Sequence, residues 1–129
     1  MSQIKVYAHR KTIDQFRHQL SQAIHQALVE SLSYPAEKKF QRFIAVEQDD
    51  FIYPDDRSDS YIIIEISMFE GRSIETKKRF VQAIFANIQQ QCGISAQDIE
   101  ITIFETPKCN WGIRGKNADE LGLNYQVNI

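Results

Sequence analysis

The sequence predicts an α+β fold in which two tandem β-α-β repeats share one mixed four-stranded sheet, with two helices on one of its faces. Three observations carry this. Ile4-Lys5-Val6 is answered by Ile64-Glu65-Ile66, and Gln22-Ala23-Ile24 by Gln82-Ala83-Ile84, both at an offset of sixty without a gap. Within each copy the apolar spacing runs from the period of a strand to that of a helix and back. Finally, 129 residues hold only two copies, whereas a solenoid needs three or more to bury a continuous core. The two copies must therefore close each other's core, as a single pseudosymmetric domain over residues 1–129.

The first copy occupies about residues 3–47. Ile4, Val6 and Ala8 alternate with Lys5 and Tyr7 as in a half-buried strand. Thr12 and Gln15 have capping-box spacing, and Ile13, Phe16, Leu20, Ile24, Ala27 and Leu28 keep helical spacing to about Leu32. Pro35 marks the exit, and Gln41 to Glu47 reads as the second strand. The connector, residues 48–60, carries five aspartates but lacks the oxygen spacing and central glycine of a calcium loop. It reads as a solvated segment pinned by Phe51 and Tyr53.

The second copy, about 61–105, repeats the order. Tyr61 to Met68 is predicted as strand, and Ser73 as the N-cap of a helix with the stripe Ile74, Val81, Ile84, Phe85, Ile88 and Cys92. Gly93 is its stop, and Ile99, Ile101 and Ile103 carry the fourth strand. Residues 106–129 are extra. Trp111-Gly112, Gly115 and the alternating Tyr125-Val127-Ile129 predict a loop and short strand packed on a neighbouring subunit.

Fifteen basic against seventeen acidic side chains, with a pI near 5.9, leave no electrostatic footprint for nucleic acid. No apolar run approaches the roughly 18 residues that cross a bilayer, and no charged segment leads an apolar secretory core, so a cytoplasmic protein without a membrane partner is expected. Cys92 and Cys109 form no paired metal motif, and His9, His18 and His25 show no ligand spacing. Cys92 reads as a buried thiol, and Cys109 has no visible base to activate it. The sheet face away from the helices is expected to carry Tyr7, Ile44, Val46, Ile63 and Phe104 among Lys5, Glu65 and Thr102. So apolar a face calls for burial against copies of itself in a closed homo-oligomer.

The duplication, the helix wording His25-Gln26-Ala27-Leu28-Val29-Glu30, Pro35 with Phe40-Gln41 after it, Gly71-Arg72-Ser73 and Asn110-Trp111-Gly112 together resemble the tautomerase superfamily. The likeness is to its malonate semialdehyde decarboxylase-like and 4-oxalocrotonate tautomerase-like branch. The resemblance implies a fused double-length subunit, a homotrimer whose sheets line a central barrel, and active sites near the starts of the first strands. It also implies chemistry at an amino-terminal proline, acting as base in keto-enol tautomerisation or as a cation in decarboxylation and hydration of small oxo acids. Arginines hold the substrate carboxylate.

Ungapped alignment puts Ser2 where that proline should be. Removal of Met1 would leave a primary amine, whose ordinary pKa of about 7.7–8.0 suits a base or an imine-forming group. Retention of Met1 would displace the reacting nitrogen by one residue. Arg72 falls where the decarboxylase-like members keep a carboxylate-binding arginine, and a guanidinium fork suits that role; its structural alternative is a first-turn surface residue paired with Glu75 or Glu70. Glu70 takes the approximate place of a second arginine. Lys38 stands where the decarboxylases place a water-activating aspartate, which disfavours decarboxylation and offers replacement positive charge. Trp111 either walls the pocket or anchors the tail.

Two functions are thus open. One is a weak keto-enol tautomerase for small 2-oxo or enol carboxylates, with Ser2 catalytic and Arg72, Lys38 and Trp111 binding substrate, using no metal and no cofactor. The other is a non-catalytic trimer that binds a metabolite or serves structurally.

Overall fold

The computed structural model describes residues 2–123 and 125–129. The first copy comprises β1 (Ser2–His9), α1 (Arg10–Leu32) and β2 (Gln41–Val46); the second comprises β3 (Ile62–Phe69), α2 (Ile74–Cys92) and β4 (Ile99–Thr106). A small hairpin follows, β5 (Gly112–Ile113) with β6 (Lys116–Asn117). The four long strands form one sheet in the order β2-β1-β3-β4, parallel within each copy and antiparallel between β1 and β3.

The repeat seen in the sequence is present in the register. Ile4 lies opposite Gln41 and Ile64 opposite Ile101, the same offset in each copy. Across the centre Ile4 faces Ile66 and Val6 faces Ile64, so a shift of sixty converts one pair into the other. The pseudo-two-fold axis therefore runs through the β1–β3 pairing.

Strand alternation sends Ile4, Val6, Ala8, Ile62, Ile64, Ile66 and Met68 to one face, where all are buried. Both helices cover that face, bringing Leu20, Ile24 and Leu32 from α1 and Phe80, Ile84 and Ile88 from α2. Asn87 Nδ2 donates to Ala23 O at 3.2 Å and so ties the helices together. The opposite face carries Tyr7 and Ile63 half-buried, with Ile44 and Phe104 exposed, as the alternation predicts.

Three local expectations are corrected. α1 starts at Arg10, directly from β1, so Thr12 is not its cap: the Thr12 hydroxyl instead donates to Asp59 O of the connector at 3.2 Å. Ile74 is 68% exposed and leaves the apolar stripe, which runs through Thr76, Phe80, Ile84 and Ile88. Ile74 instead lines a surface groove with Lys77, Lys78 and Val81 beside Ile103 of β4. The tail forms no strand over residues 125–129; within the subunit it buries Val127 against Phe69, Ile113 and Ala118. Ser73 and Gly93 cap α2 as expected: Ser73 Oγ accepts the Thr76 N–H, and Gly93 turns left-handed at φ 70°.

In urea unfolding, Ile64→Ala is expected to cost about 2–5 kcal/mol because a cavity opens at the pseudo-axis. Ile74→Ala should stay within about 0.5 kcal/mol. Equal effects would contradict the assigned stripe.

Candidate functional site

Strand direction gathers a site at one pole of the sheet. The starts of β1 and β2 meet the ends of β3 and β4 there, and α2 begins there. Ser2 opens β1 opposite Met68, only 2% exposed. Its backbone N–H donates to Tyr34 Oη at 2.9 Å, while its own hydroxyl has no partner among the described residues. Met1, on whose removal the free amine depends, lies outside the described residues.

Tyr34 reaches this point because α1 ends at Leu32 and Ser33 turns left-handed at φ 51°. It is 3% exposed, and its ring packs on Tyr125 at 4.8 Å between centroids. Burial pushes the phenol above its ordinary pKa, while the Ser2 N–H, the nearby Ser2 hydroxyl and the charge of Arg72 pull it partway back. The phenol is therefore neutral near pH 7, and its hydrogen has no acceptor among the described residues.

Arg72 lies in the turn between β3 and α2, not in the helix, and is 4% exposed. Its Nη1 donates to Phe69 O at 3.4 Å, and Nε and Nη2 have no partner among the described residues. Burial lowers its pKa, and Tyr34 and Glu105 oppose the shift; a guanidinium stays charged regardless. Neither Glu70 nor Glu75 pairs with it, and Glu105 is taken by Lys77 Nζ at 2.7 Å. The surface-pair alternative is thus set aside. A buried cation with two idle donors costs several kcal/mol, a cost that a bound carboxylate would offset.

The tail closes over this turn. Gly71 sits at φ 130°, a backbone conformation that favours glycine, and the side chains of Val127 and Asn128 pack where a Cβ would be. Ser73 Oγ and Thr76 Oγ1 donate to Ile129 O at 3.1 and 2.7 Å. A cleft of about 440 Å³, lined in part by Lys108, Tyr125 and Val127, shares Tyr125 and Val127 with the site. A larger groove of about 550 Å³ follows exposed charges of α1 and the β2 edge, away from every orphaned buried donor; volume is a poorer guide here than unsatisfied polar atoms.

Trp111 packs edge-on against Phe69 at 5.1 Å, and its carbonyl accepts the Ala118 N–H at 2.8 Å. It anchors the tail beside the residue whose carbonyl receives Arg72. Lys38 lies in the loop before β2 at the same pole, with its N–H on Pro35 O, but its side chain makes no bond to Ser2, Tyr34 or Arg72. Sequence reasoning missed Tyr34. Its repeat counterpart is Ile94, also buried, so a phenol at an apolar position was a readable sign of a hydroxyl in need of a partner.

The other pole differs chemically. Repeat counterparts of Ser2 and Arg72 are Ile62 and Thr12, and the connector covers the end of the sheet. Phe51, Tyr53 and Tyr61 cluster at centroid distances of 5.0 to 5.4 Å, and buried His9 shares a 2.8 Å hydrogen bond with Tyr53 Oη. Cys92 is partly buried against the core, which pushes its thiol up to about 11, and exposed Cys109 has only Asn110 Oδ1 beside it at 3.6 Å.

Comparison with known proteins agrees with this architecture. A family model described as tautomerase enzyme matches residues 38–114, more than half of the chain. The crystal structure of FG41 malonate semialdehyde decarboxylase inhibited by 3-bromopropiolate is similar at 31% identity and a TM-score of 0.81, covering 94% of this chain and 98% of that one. A probable tautomerase of Bacillus subtilis (strain 168), YusQ, is 26% identical over 77% of this chain and 82% of its own length. The 2-hydroxymuconate tautomerase of Comamonas testosteroni is 38% identical over 45% of this chain and 92% of its own, so a relative of one-repeat size aligns with about half of the duplication. The fold alone is shared with a fused 4-OT described as an asymmetric trimer, at 21% identity and a TM-score of 0.81. The chain belongs to the tautomerase family.

Because Arg72 is buried with no acidic partner among the described residues, Arg72→Met is expected to stabilise the ligand-free protein by about 1–3 kcal/mol in urea unfolding. A loss of stability of similar size would show that the guanidinium is compensated within the fold.

Proposed function

We propose that the protein is a keto-enol tautomerase of small 2-oxo or enol carboxylates, working as a homotrimer. The observation that carries this reading is the buried Arg72 guanidinium with Nε and Nη2 unpartnered, beside a Tyr34 hydroxyl 2.9 Å from the Ser2 nitrogen. Arg72 receives the substrate carboxylate as a fork. Ser2, freed of Met1, supplies an unprotonated amine that takes the proton from the carbon next to the oxo group. Phe69, Trp111 and Val127 form an apolar backing that limits water and strengthens the ion pair.

Lys38, at the same pole and without an ion-pair partner among the described residues, adds positive potential that draws an anion in. It carries no carboxylate to activate water, so decarboxylation by that route is disfavoured. The half-exposed apolar face with Ile44 and Phe104 supports self-association, as do the trimeric fused tautomerases of like fold. One observation favours a non-catalytic carboxylate-binding trimer instead: the tail lies directly over Gly71 and Arg72.

An enol-to-ketone assay on aromatic and aliphatic 2-oxo acids decides between the two. Wild type is expected to turn over weakly, Ser2→Pro at least about tenfold faster, and Arg72→Ala with kcat/KM lowered about 10²-fold, the range for losing a charge-assisted contact. Intact mass should show Met1 absent from protein made in cells. Absence of turnover in wild type and Ser2→Pro alike would establish the non-catalytic reading.

A further inference from the structure

We propose that Tyr34 is the acid of a two-residue relay in which a proton passes from the substrate carbon to the Ser2 nitrogen while Tyr34 delivers its own proton to the substrate oxygen. This rests on the reading of Ser2 as the base.

Enolisation needs a proton removed at carbon and another added at oxygen. A single base can serve both atoms only by moving between them. Ser2 is poorly placed to move: it is 2% exposed, sits opposite Met68 in the central ladder, and holds one N–H on Tyr34 Oη. That bond uses the oxygen of Tyr34 as acceptor and leaves the phenolic hydrogen uncommitted among the described residues. The ring cannot drift, because it is 3% exposed and packed at a tilt against Tyr125, 4.8 Å between centroids. The hydrogen is thus available to a ligand atom beside both Ser2 and Arg72.

The step balances without any further reagent. The Ser2 amine takes the proton from carbon, the C–H pair becomes the new C=C bond, and the carbonyl π pair moves onto oxygen. That oxygen takes the proton of Tyr34, leaving a phenolate. The ammonium of Ser2 returns a proton to the phenolate through the N–H···Oη bond already present, and both groups are restored. Arg72 charge stabilises the transient phenolate as well as the substrate carboxylate. The charged and titratable groups around Tyr34 are Ser2 from β1, Arg72 from the turn before α2 and Tyr125 from the tail, with Glu105 near Arg72 but bound to Lys77.

A second role for Tyr34 is purely structural, satisfying the Ser2 N–H. The two roles separate in kinetics. Tyr34→Phe in the full-length, methionine-processed protein is expected to lower kcat about 10²-fold or more, the usual size of a lost general acid, with KM changed by less than about threefold. A 3-fluorotyrosine at position 34, which keeps the ring and acidifies the phenol, should retain turnover and move the alkaline limb of the kcat profile to lower pH. If Tyr34→Phe fails to fold, this second variant decides. Wild-type kcat in Tyr34→Phe, or a wild-type alkaline limb in the fluorinated protein, would overturn the relay while leaving Ser2 and Arg72 in place. A wild type without turnover would overturn the reading of Ser2 as base, and the relay with it.

Discussion

The antiparallel pairing of β1 with β3 decides where everything else in the molecule lies. It joins the two copies about the pseudo-axis, Ile4 against Ile66 and Val6 against Ile64. It also sets Ser2 against Met68, so the start of the chain arrives beside Phe69 and the Arg72 turn. A slip of one residue would turn every inward isoleucine of β1 or β3 to the open face, and it would also carry Ser2 away from Tyr34. Stability and site geometry therefore rest on one register.

The two poles show how one duplicated frame acquires unequal chemistry. At the far pole, the counterparts of Ser2 and Tyr34 are Ile62 and Ile94, both buried among apolar neighbours, and the connector is tied down by Thr12 on Asp59 and Ser58 on Asp98. At the near pole, a cation is kept under a tail with two donors idle. A core that only had to be stable would not retain such a group, because an uncompensated buried charge opposes folding. Strain of this kind is the expected mark of a binding site that is completed by its ligand.

Much of this was legible in the sequence, and the limits have physical causes. The repeat offset foretold one mixed four-stranded sheet with both helices on one face, because side-chain alternation leaves little freedom once both copies bury the same face. Ser73 and Gly93 marked the ends of α2 because capping is a local interaction of side chain and backbone. The start of α1 was hidden because β1 runs into it without a loop and Thr12 spends its hydroxyl on a connector forty-seven positions away. The tail's expected strand did not form because alternation at Tyr125, Val127 and Ile129 is equally served by irregular backbone packed on Phe69 and Tyr34. Tyr34 escaped notice since its partner, Ser2, is distant in sequence. Arg72 was singled out by resemblance, but its burial, with Nε and Nη2 unbonded among the described residues, belongs to tertiary structure alone.

The central claim is that the pole assembled by β1 and β3 is a carboxylate site organised by Arg72, Tyr34 and Ser2. A crystal structure of the protein soaked with a small 2-oxo carboxylate tests it most directly. The account expects the carboxylate at about 3 Å from Arg72 Nε and Nη2, with the oxo oxygen on Tyr34 Oη and the adjacent carbon facing the Ser2 nitrogen. A ligand settled in the groove along α1 and β2, or an Arg72 that turns to Glu105 and leaves the acid unbound, would contradict it.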